Sequence, residues 1–198
     1  CSSDLIEGKN NGKKNRSEEK ELQGMYVVVL MCGAIKDPEL KDKVISHLVR
    51  LIEENGYTLD CGFSSVGFLL DVLYDNGHKD AAYKVLMNTD APSWLYMIKN
   101  GATTIWENWL AVKEDGTVTD SSYNHYAYGC VGDFIYRHMA GLQAAGPGFK
   151  RILLAPDLDC GLHECSISRI IPQRDDAPGV ENAECRSEER RVGKECRS

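Results

Sequence analysis

The sequence has no apolar run of the roughly 18 residues that a membrane-spanning helix requires. It also lacks an excess of basic residues, because its formal net charge is −7 at pH 7. Nucleic acids and anionic membranes bind basic faces, so we expect neither as a partner. With 198 residues, 42% of them hydrophobic, the chain can still bury a core.

Cysteine pairs at metal-binding spacing are missing as well. None of the eight cysteines forms a CxxC pair, and we expect neither a metal nor another cofactor. Cys32, Cys61 and Cys130 lie in apolar stretches, which predicts that they act as small buried hydrophobic residues. This usage is typical of a reducing compartment and slightly favours a cytoplasmic over a secreted location.

The two ends of the chain are unlike the rest of it. Residues 186–198 (RSEERRVGKECRS) resemble the in-frame translation of a sequencing adapter. Residues 1–5 (CSSDL) resemble the translation of the reverse complement of the same adapter. We expect both ends to be artefacts of this kind and the natural protein to comprise residues 6–185. The alternative is a genuine charged tail.

Most of the chain has the apolar periodicity of helices. Asp37 is a predicted N-cap followed by Pro38, and Ser64 or Ser65 is expected to cap a later helix. Short connections between helices indicate helical hairpins. The predicted helices span residues 23–35, 39–55, 66–75, 80–87, 93–99 and 124–140.

The pattern changes after the Gly146-Pro147-Gly148 sequence. Residues 149–155 and 162–171 are predicted strands, separated by a turn. Helices followed by strands favour a domain boundary near Gly146. We therefore predict one domain over residues 6–146 and the start of another over residues 147–185.

Residues 90–109 (DAPSWLYMIKNGATTIWENW) concentrate the groups that bind sugars. They contain all three tryptophans, and Glu107 lies between Trp106 and Trp109. Indoles stack on the C–H faces of pyranose rings, and a neighbouring carboxylate can act as nucleophile, acid or base. A solvated glutamate on a helix face is the alternative, and residue types alone leave both interpretations open.

The stretch PSWLYMIKNGATTIWENW, followed by NHYAYGCVGDFIYRHMAGL, resembles the catalytic domain of bacterial α-L-rhamnosidases in its C-terminal half. The resemblance extends over about residues 23–168 and includes GFSSVGFLLDVLYDNGHKDAAYKVLMNTD. It implies a mainly α fold. The expected architecture is the last helical hairpins of a partial (α/α)6 toroid, followed by the first strands of a C-terminal β-sandwich.

The resemblance also implies a reaction, the hydrolysis of terminal α-L-rhamnose from glycosides or polysaccharides with inversion. The family's general base corresponds to Glu107, the glutamate of the TTIWE motif. Its general acid lies well upstream, and nothing in residues 6–23 matches that motif. We therefore expect this chain to be a fragment that is inactive alone.

The remaining site residues follow from the same resemblance. His125 of NHYAYG corresponds to a histidine that contacts the sugar. Trp94, Trp106 and Trp109 are expected either to stack on sugar or to pack the toroid wall. Trp106 is the best candidate for stacking, and a structural role is favoured for Trp94. The alternatives are another six-hairpin toroid glycosidase, for example one acting on glucosides, and a non-catalytic carbohydrate-binding protein on the same scaffold.

Overall fold

In the described part of the chain, four α-helices precede the aromatic-rich residues 90–109 and a fifth lies within them. The structure is a computed structural model, and it describes residues 21–162, 164–168 and 182–185. Both terminal stretches predicted to be artefacts, residues 1–5 and 186–198, lie outside this range. The helices are α1 Gln23–Met31, α2 Pro38–Glu54, α3 Phe63–Asp75, α4 Lys79–Leu86 and α5 Trp94–Lys99.

Helix α2 begins as its sequence predicts. The Asp37 carboxylate accepts a hydrogen bond from the Glu39 N–H at 3.0 Å, and Pro38 occupies the first helical position. Both residues suit a helix start, since Asp satisfies a free N–H group and Pro has none to satisfy. The buried residues Val44, Ile45, Leu48 and Ile52 recur at helical spacing on one face.

Helix α3 forms the centre of the helical core, packing against both α1 and α4. The predicted cap by Ser64 or Ser65 is wrong, because α3 starts at Phe63 with Gly62 as an N-cap that offers no side chain. Ser65 is buried instead, and its hydroxyl donates to the Gly62 carbonyl at 3.3 Å. Leu69 and Leu73 are completely buried, as a helix with core on several sides requires.

One buried amide ties α1 to the turn before α3. The Gln23 side chain is 2% exposed. Its Nε2 donates to the Thr58 carbonyl at 3.0 Å, and its Oε1 accepts from the Asp60 N–H at 3.0 Å. A buried amide that lacks partners is costly, so these bonds favour a single position for the turn.

The cysteines differ in burial. Cys61 is buried as predicted, whereas Cys130 is half-buried. The prediction for Cys32 is wrong, because this residue caps the C-terminus of α1 and is exposed. Burial raises the pKa of the Cys61 thiol to about 12, with smaller and opposing effects from Ser65 and Asp60. Cys61 is therefore a neutral thiol at physiological pH.

Native alkylation is expected to discriminate between Cys61 and Cys32. The thiolate is the reactive form, and a pKa of about 12 leaves about one thiolate in ten thousand at pH 8. Iodoacetamide should label exposed Cys32 at least about 100-fold faster than Cys61, as followed by peptide mass spectrometry. Labelling in urea is the control, where both should react. Equal rates under native conditions would contradict the burial of Cys61.

The single helix predicted over residues 124–140 is wrong. His125 is bonded to a distant segment instead, because its N–H donates to the Ile105 carbonyl at 2.8 Å. A 3₁₀ turn follows at Ala127–Cys130, then the short helix α6 at Val131–Phe134 and a π-helical turn at Ile135–Met139. The sequence has helical periodicity here, but pairing with a distant segment takes its first residues out of the helix.

The chain divides into two compact units, Cys1–Cys130 and Val131–Ser198. The described residues of the second unit form two antiparallel strand pairs. In these, β1 Leu142–Ala144 pairs with β2 Ile152–Leu154, and β3 Cys165–Ser168 with β4 Asn182–Cys185. The predicted strands at 149–155 and 162–171 correspond to β2 and β3, although residues 163 and 169–171 lie outside the described range.

Gly141 allows the β1–β2 hairpin to close. Its φ of +70° is unfavourable for other residues, and an added Cβ would lie 2.1 Å from the Ala155 backbone.

The predicted boundary near Gly146 falls between β1 and β2, and the division into residues 6–146 and 147–185 stays a prediction. The same is true of the β-sandwich. Among the described helices, none combines the length and apolarity needed to cross a membrane.

Candidate active site

Residues 111–119 after α5 form a hairpin-like loop. An isolated antiparallel bridge joins Val112 to Val118. The Thr119 N–H donates to the Ala111 carbonyl at 2.8 Å, and the Asp115 carboxylate accepts from the Thr117 N–H at 2.9 Å. The bonds from Thr117 hold the pKa of Asp115 below its usual range, which keeps this turn anionic. After this hairpin-like loop, the chain lies next to Glu107 of the TTIWE motif.

Two loop segments then lie side by side. The Glu107 N–H donates to the Ser122 carbonyl at 2.9 Å, and the His125 N–H donates to the Ile105 carbonyl at 2.8 Å. The Thr104 hydroxyl adds a bond to the Tyr123 carbonyl. The structure thus brings Glu107 and His125, 18 positions apart in the printed sequence, onto neighbouring segments.

The Glu107 side chain is anchored through one of its oxygens. Its Oε2 accepts the Ser122 N–H at 2.9 Å, so Ser122 bonds both the backbone and the carboxylate of Glu107. Over the described ranges, Oε1 has no hydrogen-bond donor and Glu107 has no basic ion-pair partner. A carboxylate oxygen has lone pairs for further bonds, so Oε1 can accept a proton or a water molecule.

The His125 imidazole is half-buried and packed against aromatic rings. It stacks on Phe63 with ring centres 5.0 Å apart and on Tyr126 with ring centres 5.2 Å apart. Its Nδ1 accepts the Ala127 N–H at 3.3 Å. In a neutral imidazole with Nδ1 as acceptor, Nε2 carries the hydrogen. His125 can therefore donate a hydrogen bond through Nε2.

Tyr128 lies near Glu107 and contacts Phe63, the ring that stacks on His125. Burial raises the pKa of its hydroxyl, and the thiols of Cys130 and Cys61 and the Glu107 carboxylate add to this effect. The phenol is therefore neutral at physiological pH. Its ring contacts Phe63 with ring centres 4.9 Å apart. Tyr128 is 6% exposed, so it supports the site from beneath the surface.

The three tryptophans are all more than nine-tenths buried. Trp109 stacks on Tyr128 at 3.6 Å and meets Trp94 edge-on at 5.5 Å, and the Trp94 Nε1 donates to the Tyr128 carbonyl at 2.8 Å. Trp106 meets Tyr123 edge-on at 5.8 Å. This burial favours the packing role over stacking on sugar, although both roles stay predictions.

The Trp109 indole N–H is buried without an acceptor among the residues that the structure describes. Aromatic contacts with Tyr128 and Trp94, rather than a hydrogen bond, therefore hold this ring. Such pairs contribute about 0.5–1.5 kcal/mol beyond their area burial.

Sequence reasoning did not single out Ser122, Phe63, Tyr126 or Tyr128. Ser122 acts through its backbone, which leaves no signal in residue type. Tyr126 and Tyr128 belong to the NHYAYG motif, and Phe63 to the GFSSVGF stretch, so the motifs contained them without indicating their contacts.

Comparison with known proteins identifies the family. Residues 6–139 match the bacterial α-L-rhamnosidase six-hairpin glycosidase domain. The α-L-rhamnosidase of Streptomyces avermitilis is 38% identical over 139 residues, which are 69% of this chain and 13% of that protein. The α-L-rhamnosidase of an Alteromonas species is 34% identical over 142 residues, 70% of this chain and 15% of that protein.

The fold agrees with a solved structure of the same family. The crystal structure of the Streptomyces avermitilis enzyme complexed with L-rhamnose superimposes with a TM-score of 0.65 at 37% identity. The superposition covers 68% of this chain and 13% of that one. The chain thus spans about an eighth to a seventh of the length of these relatives. It belongs to the bacterial α-L-rhamnosidases, with their six-hairpin glycosidase domain.

Proposed function

We propose that these residues form part of an inverting α-L-rhamnosidase and supply its general base, Glu107. The observation that carries this proposal is the asymmetric environment of the carboxylate. Ser122 fixes Oε2 at 2.9 Å, while Oε1 has no donor among the described residues. One oxygen orients the group and the other can take a proton, as a general base requires.

In the proposed reaction, Glu107 removes a proton from water as its oxygen attacks the anomeric carbon of rhamnose. The bond from that carbon to the leaving-group oxygen breaks, and a general acid protonates this oxygen. Attack from the face opposite the leaving group inverts the anomeric configuration. Inverting glycosidases hold their two carboxyl groups about 6.5–9.5 Å apart to admit the water.

The acid is proposed to come from a part of the complete protein outside this chain. The chain spans only 13–15% of the relatives' lengths, which is consistent with an active site completed elsewhere. The 198-residue chain alone is therefore proposed to lack hydrolytic activity.

His125 is proposed to donate a hydrogen bond from Nε2 to a hydroxyl of the rhamnosyl ring. The Ala127 N–H on Nδ1 supports this role, because it selects the tautomer that carries the hydrogen on Nε2. The solved Streptomyces avermitilis relative, which contains L-rhamnose, supports rhamnose as the sugar. Trp94, Trp106 and Trp109 are proposed to hold the wall that carries these groups, since all are buried.

The complete protein is expected to hydrolyse an aryl α-L-rhamnoside in preference to the matching α- and β-glucosides. Proton NMR at the start of the reaction should detect the β anomer of rhamnose first, because attack on an α-linkage inverts it. Initial release of the α anomer would contradict inversion. Greater turnover of a glucoside would favour the rival six-hairpin glycosidase, and binding without turnover would favour a carbohydrate-binding protein.

A further inference from the structure

An aromatic ring lies against His125, the histidine proposed to contact the sugar. The ring of Phe63 stacks on His125, with centres 5.0 Å apart and planes 16° from parallel. Phe63 is the first residue of α3, far from His125 in sequence. The stacking therefore exists only because the fold brings α3 to this loop.

Phe63 is itself held from two directions. Its ring contacts the buried Tyr128 at 4.9 Å with a tilt of 60°. Its backbone follows the turn that the buried Gln23 amide holds through Thr58 and Asp60. Tyr126 also stacks on His125, but it is 88% exposed and lies next to it in sequence. Phe63 is therefore the better fixed of the two rings.

Two contacts constrain different properties of the imidazole. Stacking on Phe63 limits the tilt of the ring plane, since parallel rings lose contact when one rotates. The Ala127 N–H at 3.3 Å from Nδ1 selects the tautomer. Together they determine which nitrogen donates and in which plane its hydrogen lies.

We propose that Phe63 is a positioning residue for His125, and that its ring fixes the plane in which Nε2–H meets a rhamnosyl hydroxyl. This inference rests on the proposed function of His125. It assigns Phe63 no contact with the reacting atoms. Its effect on catalysis should therefore pass entirely through the imidazole.

A double-mutant cycle in the complete protein tests this dependence. Phe63→Leu keeps an apolar side chain but removes the flat ring, and should lower kcat/KM on an aryl α-L-rhamnoside by roughly 2- to 10-fold. The same change in a His125→Ala background should have no further effect, because the group that Phe63 orients is absent. Phe63→Tyr retains the ring face and should restore most of the activity.

Phe68→Leu is the matched control, as Phe68 lies on the same helix and is 41% exposed. It should leave kcat/KM unchanged. Phe63 is 49% exposed, so its replacement opens no core cavity. If Phe63→Leu nevertheless lowers the unfolding midpoint more than the control does, Phe63→Met replaces it in the same cycle.

The outcomes separate the inference from the function on which it rests. An equal loss from Phe63→Leu in both backgrounds would overturn the positioning role and leave the role of His125 intact. Full activity of His125→Ala would remove the proposed role of His125 and the inference with it. Loss in the parent background alone, with recovery in Phe63→Tyr, supports the inference.

Discussion

Replacement of Glu107 by glutamine is expected to lower kcat on an aryl α-L-rhamnoside by about 100- to 10,000-fold in the complete protein. Glutamine has nearly the same shape, and its carbonyl oxygen can still accept the Ser122 N–H that now bonds Oε2 at 2.9 Å. It has no basic oxygen to take the proton of the attacking water. The loss should therefore appear in kcat, with little change in folding or substrate affinity.

Glu114→Gln is the control, because it makes the same chemical change at an exposed position of the hairpin-like loop. Its kcat should stay within about 2-fold of the parent, as for a solvated carboxylate without a catalytic role. Steady-state kinetics and thermal unfolding should be measured on the same preparations. Normal turnover by Glu107→Gln would rule out Glu107 as the base.

Leu69→Ala is expected to have the largest effect on stability, lowering the free energy of unfolding by about 2–5 kcal/mol. Leu69 is 0% exposed and lies on α3, which packs against α1 and α4. Truncation removes buried methyl groups and leaves a cavity where close-packed helices can collapse only in part. Folding stabilities of domains are typically about 5–15 kcal/mol, so a change of this size is a large fraction.

Urea unfolding followed by circular dichroism measures this change. Leu110→Ala is the matched control, since Leu110 belongs to the same compact unit and is 40% exposed. Its effect should stay below about 1 kcal/mol, because a partly solvated side chain loses little burial. Equal destabilisation by both substitutions would contradict the placement of Leu69 at the centre of the core.

Local signals were enough to predict the first five helices, and the motifs indicate the candidate site residues. The Asp37-Pro38 start of α2 depends on neighbouring residues, and α2 indeed begins there. Helices α2 and α4 follow apolar periodicity, which is a local consequence of burying one face, whereas α1 and α3 are apolar on most sides. Glu107 and His125 are proposed as site residues from the TTIWE and NHYAYG motifs, whose resemblance to a family implies chemistry that composition alone does not.

One error occurs where a distant segment decides the conformation, and another where a helix ends. Residues 124–126 have helical periodicity, but His125 pairs with Ile105 and the 3₁₀ turn begins only at Ala127. Cys32 lies in an apolar stretch, yet it follows the last turn of α1 and is exposed. Apolar periodicity indicates which side chains are suited to burial, but not which other segment packs against them.

The sequence by itself therefore determined the family, the helical class and the identity of the proposed base. Only the tertiary structure decided how that base is held. The Ser122 bond to Oε2, the stack of Phe63 on His125 and the burial of the tryptophans join residues far apart in the chain. Such contacts depend on loop closure and packing geometry, and no local pattern of residues specifies them.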